Sequence, residues 1–234
     1  MKKAVEDDAL VVRTVAYGEA DAIVTFVFEG HGRLSSMVRG ARKSRRRAQG
    51  ALEPFHTVRV RAEDRGGDLV RLEDARVVRA RSGILASLGA CEAAGLSLRW
   101  LRHLVPVRHP EPRAFATVVA LLDALDEAPA EPRAPLAAAG LRLLSDVGFE
   151  LDLARCVRCG RPCPDGRSAS VDAARGGLVC ASCGVASLVL SAHARRLARG
   201  AQDGLPAAFS RQDADRVLAL VEAAMAAHGG FEAR

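Results

Sequence analysis

Four of the six cysteines in this 234-residue chain have a spacing that can do chemistry. Cys156 and Cys159 form one C-x2-C pair, Cys180 and Cys183 form a second, and twenty residues lie between the pairs. Two intervening residues let both thiolates of a pair reach one ion while nearby backbone amides stabilise the sulfur charge. Two such pairs complete a tetrahedral four-sulfur shell, the donor set of structural zinc. One structural Zn2+ is therefore expected on Cys156, Cys159, Cys180 and Cys183. Cys163, four residues after Cys159, either replaces one of these ligands or is a spare thiol. A catalytic zinc would keep an open position beside a general base. "RPCPDG" does not match the Pro-Cys-x-x-Cys of zinc deaminases, and no His-x-Glu accompanies it, so a catalytic metal is not expected.

The second chemically suggestive stretch is "RGARKSRRRAQG" at 39–50, which contains no acidic residue. Arg39, Arg42, Lys43, Arg45, Arg46 and Arg47 repel one another, and the folded chain gains little from them unless an anion arrives. Arginine abundance alone is weak support, since the chain has 34 basic residues of which only Lys2, Lys3 and Lys43 are lysines. The distribution says more. Residues 1–82 carry a net charge of +5, residues 83–155 a net of −2, and residues 156–234 a net of +3. A basic first third beside a slightly acidic middle fits a polyanion-binding module, and nucleic acid is the expected polyanion. The alternating Arg59 and Arg61 either extend this track or are solvated strand positions.

The first third reads as strands at 9–15, 22–29, 33–39, 55–63 and 69–79, short, β-branched and bounded by turn signals. Five strands with a longer connection between the third and fourth predict a small closed barrel of the oligonucleotide-binding (OB) type. Barrel closure accounts for the apolar residues on both faces of "IVTFVF", and Phe26 and Phe28 are expected in the core rather than as a base-stacking platform. With aromatics at 4% of the chain, the module is expected to grip backbone charge more than to stack bases.

From Ser82–Gly83 onward the spacing turns helical: 84–105, 112–128, 135–148, 191–200 and 210–230. Pro112 suits a first turn, Gly148 and Gly200 suit helix stops, Ser191 suits an N-cap, and Ser210 with Asp213 resembles a capping box. Cys91 and Trp100 read as buried packing residues. "GGLVC" reads as a turn and short strand delivering the second cysteine pair. The fold class is thus α+β: an N-terminal five-stranded OB-type β-barrel over 1–82, then an all-helical domain over 83–234 carrying a four-cysteine zinc ribbon at about 154–186.

Enzyme signatures are missing. There is no G-x-x-x-x-G-K-[ST], no G-x-S-x-G and no G-x-G-x-x-G, and the six histidines form no i, i+4 pair. Paired carboxylates such as Asp7–Asp8 and Glu73–Asp74 read as solvated surface. No run of 18 apolar residues occurs and the N-terminus turns acidic, so a soluble cytoplasmic protein with no membrane partner is expected.

At this point the residues carry a resemblance. Tyr17-Gly18-Glu19 with Asp21, Gly32-Arg33-Leu34, Arg39-Gly40-Ala41-Arg42 and Leu52-Glu53-Pro54-Phe55 resemble, in order, the N-terminal motifs of the bacterial recombination mediator RecO family. "LLSDVGFELDLARCVRCG" and "GGLVCASC" are similar to its cysteine-bearing segments, so the likeness runs from about residue 9 to at least 183. Glu150 stands where a proline is common, and Cys163 is an addition. Some members lack the cysteines, which fits a structural metal.

The resemblance implies a non-enzymatic protein of DNA repair in the RecF pathway, cytoplasmic and nucleoid-associated. It binds single- and double-stranded DNA and anneals complementary strands. Its implied partners are RecR, RecF and the acidic C-terminal tail of single-strand-binding protein (SSB), and it helps RecA load on SSB-coated strands. Arg39, Arg42, Lys43, Arg45, Arg46 and Arg47 are then phosphate contacts without base readout. Two other readings stay open: a scaffold whose basic loop docks an acidic protein, and an RNA-binding factor.

Overall fold

The computed structural model describes residues 3–40, 50–184, 186 and 188–229. The chain divides into two compact units, Met1–Pro129 and Ala130–Arg234.

The first unit opens with β1 (Lys3–Tyr17), β2 (Asp21–Phe28), β3 (Gly32–Val38), β4 (Thr57–Asp64) and β5 (Leu69–Arg79). They form a barrel in the order β1-β2-β3-β5-β4, with β4 pairing back onto β1. The β3–β5 seam is short and parallel, confined to Ser35–Leu69 and Ser36–Val70, so closure is thin on that side. The interior holds Val11, Val24, Phe26, Phe28, Val58 and Val60 among others. Phe26 and Phe28 are fully buried with ring centroids 5.8 Å apart, as the core reading expects. Burying one such side chain is worth about 1.5–3 kcal/mol.

Closure explains only half of the apolar run in β2. Val27 lies opposite Leu10 of β1 on the outer face, yet both are buried. The cover is α1 (Leu88–Leu104), which packs against β1. A short 3-10 turn (Gly83–Ala86) leads into α1, and α2 (Pro112–Glu127) packs against both. Trp100 is fully buried in α1, whereas Cys91 is only half-buried, its thiol donating to the Ile84 carbonyl at 3.3 Å.

β1 is twice the expected length because the acidic prelude is strand. Glu6 lies opposite Arg61 and Asp8 opposite Arg59 across the β1–β4 ladder. The carboxylates taken from sequence as solvated surface therefore have work to do. Asp8 pairs with Arg59 at 2.8 Å, and Glu73 with Arg61 at 3.2 Å. Asp7 accepts from the Gly30 amide at 2.7 Å and fixes the β2–β3 turn. Gly32, at φ +69°, completes that turn, and a Cβ there would lie 2.2 Å from the His109 carbonyl oxygen.

The second unit holds α3 (Arg133–Asp146), a sheet of β6 (Asp152–Cys156), β7 (Ala169–Asp172), β8 (Gly177–Val179) and β9 (Leu188–Leu190), then α4 (Ala192–Gln202) and α5 (Arg211–Gly229). The sheet order is β6-β8-β7-β9. Leu136, Leu143 and Leu144 of α3 are buried with Val217, Leu220 and Val221 of α5, and these two helices pack together. Ser191 caps α4, accepting from the Ala194 amide at 3.0 Å. Ser210 accepts from the Asp213 amide at 3.1 Å at the start of α5. Gly148 ends α3 at φ +85°. Gly200 does not end α4: the helix continues to Gln202, and Gly204 at φ +83° makes the turn, with the Leu205 amide donating back to Gly200. Among the described residues no helix is long and apolar enough to cross a membrane.

Candidate functional site

The sulfurs of Cys156, Cys159, Cys180 and Cys183 lie within 4.8 Å of one another. β6 ends on Cys156, and β8 ends one residue before Cys180, as "GGLVC" suggested. The parallel register of Cys156 with Leu178 brings both pairs to the same edge of the sheet. That approach needs glycine at 177, where a Cβ would lie 2.5 Å from the Asp152 carbonyl oxygen. Each pair then curls back on itself: the Gly160 amide donates to the Cys156 carbonyl at 2.8 Å, and the Cys183 amide to the Cys180 carbonyl at 2.9 Å. Arg158 ties the two turns together by donating to the Cys183 carbonyl.

The donor set fits zinc. Zn–S bonds of about 2.3 Å in a tetrahedron require sulfurs about 3.8 Å apart. Cys159 and Cys180 sulfurs are 3.7 Å apart. The electrostatics point the same way. The Cys156 thiol is pulled down to about 6, chiefly by the Cys180 amide that donates to its sulfur at 3.3 Å. Cys183 is pushed up to about 12, chiefly because hydrogen bonds with the Cys159 and Cys180 sulfurs favour its protonated thiol, with burial and the charge on Cys156 adding to this. A dication favours the thiolate of all four. Cys163 stands outside the cluster: its amide donates to the Ala154 carbonyl at 2.8 Å, and its sulfur lies 3.9 Å from the Pro164 carbonyl oxygen.

Of the six expected phosphate contacts, Arg39 is exposed just past the end of β3. Arg42, Lys43, Arg45, Arg46 and Arg47 lie outside the described residues. The ends of the connection that carries them are visible. At its start Asp21 accepts from the Gly40 amide at 2.8 Å. At its far end Phe55 takes a left-handed φ of +78°, and its carbonyl accepts from Arg81 at 2.9 Å. Arg81 is buried, donates also to Thr57 at 3.0 Å, and pairs with Asp123 of α2 at 2.8 Å. Arg59 and Arg61 are engaged by Asp8 and Glu73, which makes them strand-pairing residues before any wider role.

Sequence reasoning placed Asp21 in a motif without a role and missed Arg81. The only signal for Arg81 was one arginine among many, and burial is what sets it apart.

Comparison with known proteins agrees with this arrangement. Residues 1–81 match the family model described as recombination protein O N terminal, and residues 88–232 match recombination protein O C terminal. A protein of Anaeromyxobacter sp. strain K named DNA repair protein RecO is 41% identical over 175 residues, covering 74% of this chain and 68% of that one. A protein of the same name from Anaeromyxobacter dehalogenans is 35% identical over 226 residues, covering 91% and 88%. Another from Myxococcus xanthus is 35% identical over 208 residues, covering 86% and 84%. With both of its halves matched and the barrel, helices and four-cysteine cluster in the matching order, the chain belongs to the recombination protein O (RecO) family.

Proposed function

We propose that this chain is a non-enzymatic DNA-repair mediator that holds nucleic-acid strands by their phosphates and anneals them. The observation that carries the reading is the anchoring of the β3–β4 connection, which carries the basic stretch, near both ends: by Asp21 on Gly40 and by Arg81 on Phe55. A run of like charges close together in sequence is costly without an anion and useful with one. Arg39, Arg42, Lys43, Arg45, Arg46 and Arg47 neutralise phosphates of two strands, lower their mutual repulsion and leave the bases free to pair. No base readout is needed.

The division of labour follows the segments: 1–82 binds strands, and 83–234 carries the helices and the ribbon at about 154–186. Cys156, Cys159, Cys180 and Cys183 hold one zinc ion, which supplies cross-linking of the ribbon rather than reaction chemistry, since four sulfurs fill its shell. The family likeness supports RecR, RecF and the SSB tail as partners, RecA loading on SSB-coated DNA as the outcome, and a cytoplasmic, nucleoid-associated location.

The test is equilibrium binding of oligo-dT across salt concentration, with oligo-U and an acidic SSB-tail peptide as competitors. Neutralising about four to six phosphates gives a log K against log salt slope of roughly −3 to −5. A flat dependence removes the phosphate assignment, stronger displacement by oligo-U selects the RNA reading, and displacement by the peptide alone selects the scaffold.

A further inference from the structure

The geometry points to a binding site for a small aliphatic polyamine in the second unit, in the cavity between the start of β6 and the end of α4. Its ligand is a flexible chain carrying two or more ammonium groups, and no nucleic acid is involved.

The cavity measures about 450 Å³, within the size range of small-molecule sites. Leu151 and Leu153, both buried, supply its apolar lining, and the acidic residues Glu150, Asp152 and Asp203 line it as well. Acidic side chains alone would be no more than surface. What marks a built site is Gln202, which lines the same cavity and is only 4% exposed. Its Nε2 donates to the Leu151 carbonyl at 3.0 Å, which fixes the side-chain amide, because only the nitrogen can donate to a carbonyl. The other end, Oε1, is left as an acceptor without a partner among the described residues, and it is not sealed off. An amide oxygen held in this way calls for a donor.

The cations of the neighbourhood are already engaged. Arg199 lines the cavity but pairs with Asp165 at 3.0 Å. Arg142 pairs with Asp146 at 3.0 Å and donates to the Gln202 carbonyl at 2.6 Å. With Arg199 balanced by Asp165, the lining keeps the charge of its three carboxylates. It does so at the C-terminal end of α4, where the helix dipole is negative. The whole chain has a net charge of +6, so a cation is drawn here by local groups and not by the overall field.

Two other donors fit less well. Among the described residues the four cysteines form the only group of three or more His, Cys, Asp or Glu side chains close enough to hold one metal ion. The carboxylates here are thus too dispersed to cage a single ion. An added peptide strand needs free backbone groups along β6. There the Leu151 carbonyl is taken by Gln202, the Ala154 carbonyl by the Cys163 amide, and the Ala154 and Arg155 amides by Asp152 Oδ1. A chain of ammonium groups joined by methylenes meets separated carboxylates and lays its apolar links on the leucines. Glu150 stands where the family commonly has proline, so one of the three carboxylates belongs to this chain in particular.

The test is calorimetric titration of the full chain, stripped of nucleic acid, with spermidine and with propylamine. Spermidine is expected to bind at one site per chain, about tenfold more tightly than propylamine with its single ammonium. Glu150→Gln/Asp203→Asn, both at exposed positions, is expected to weaken spermidine about tenfold or more. Arg199→Gln is expected to leave it no weaker. Unchanged spermidine affinity in the folded double variant, or a wild-type chain that takes no spermidine, would overturn the inference. Displacement of spermidine by Mg2+ at equal concentration would overturn it in favour of a diffuse acidic surface. Stronger displacement by a trilysine peptide would overturn it in favour of a partner's lysine side chains.

Discussion

The Asp21 carboxylate accepts the Gly40 amide proton at 2.8 Å, tying the β1–β2 turn to the first residues of the basic stretch. The contact gives the acidic residue of the Tyr-Gly-Glu-x-Asp motif a physical job. It fixes where the chain leaves β3, at the start of the basic stretch. Asp21→Ala removes an anchor and no phosphate contact. Its expected signature is a loss of about 1 kcal/mol in stability and a several-fold weaker oligo-dT affinity with an unchanged salt slope. Chemical denaturation and a salt titration of binding read both.

Arg81 anchors the other end, and its environment predicts a larger effect. Its side chain is wholly buried, and its partner Asp123 is 36% exposed. Arg81→Ala leaves the Phe55 carbonyl and the Thr57 hydroxyl without this donor and leaves Asp123 with Arg79 alone. A loss of about 3 kcal/mol is expected from denaturant unfolding, near the low end for breaking a buried pair because Asp123 keeps water. Asp123→Asn should cost clearly less.

The same pair sets a pH dependence. Burial pushes the Asp123 carboxyl up, but hydrogen bonds and charge from Arg81 and Arg79 outweigh it and hold the carboxyl below its ordinary value of 3.8. A depressed carboxyl adds stability that is fully present above its unfolded pKa and is lost as pH falls through the lower folded value. Thermal midpoints of the wild type should therefore drop below about pH 4, and the drop should be smaller in Asp123→Asn.

The metal centre gives its own tests. About one zinc per chain is expected by elemental analysis, and Cys180→Ser should lose it while Cys163→Ser keeps it. A chelator should loosen the 130–234 unit, seen as faster proteolysis there, without abolishing oligonucleotide binding. Gly177→Ala should act like a partial chelation. Its Cβ has no room beside Asp152, and overpacking of this kind costs about 1–3 kcal/mol.

How much of this was legible in the sequence depended on the range of the signal. The cysteine spacing is local, so C-x2-C twice over was enough to foresee the cluster and to leave Cys163 undecided. The barrel was legible from period-two runs and turn residues. The first half of β1 was not, because "AVEDD" reads as solvated until Arg59 and Arg61 arrive opposite it from fifty residues away. The outer-face burial of Leu10 and Val27 was hidden for the same reason, since α1 supplies the cover. The end of α4 slipped by two residues because the left-handed turn fell to Gly204 rather than Gly200. Long-range pairing decided each of these cases, and no local pattern records it.

The central claim is that the basic stretch holds phosphates of two strands at once. The direct measurement is annealing of complementary oligonucleotides at two salt concentrations, wild type against Arg45→Glu/Arg46→Glu/Arg47→Glu. The account predicts that the wild type anneals, that salt suppresses it, and that the folded triple variant fails. A triple variant that anneals as fast as the wild type would contradict it and make the stretch a solvated face.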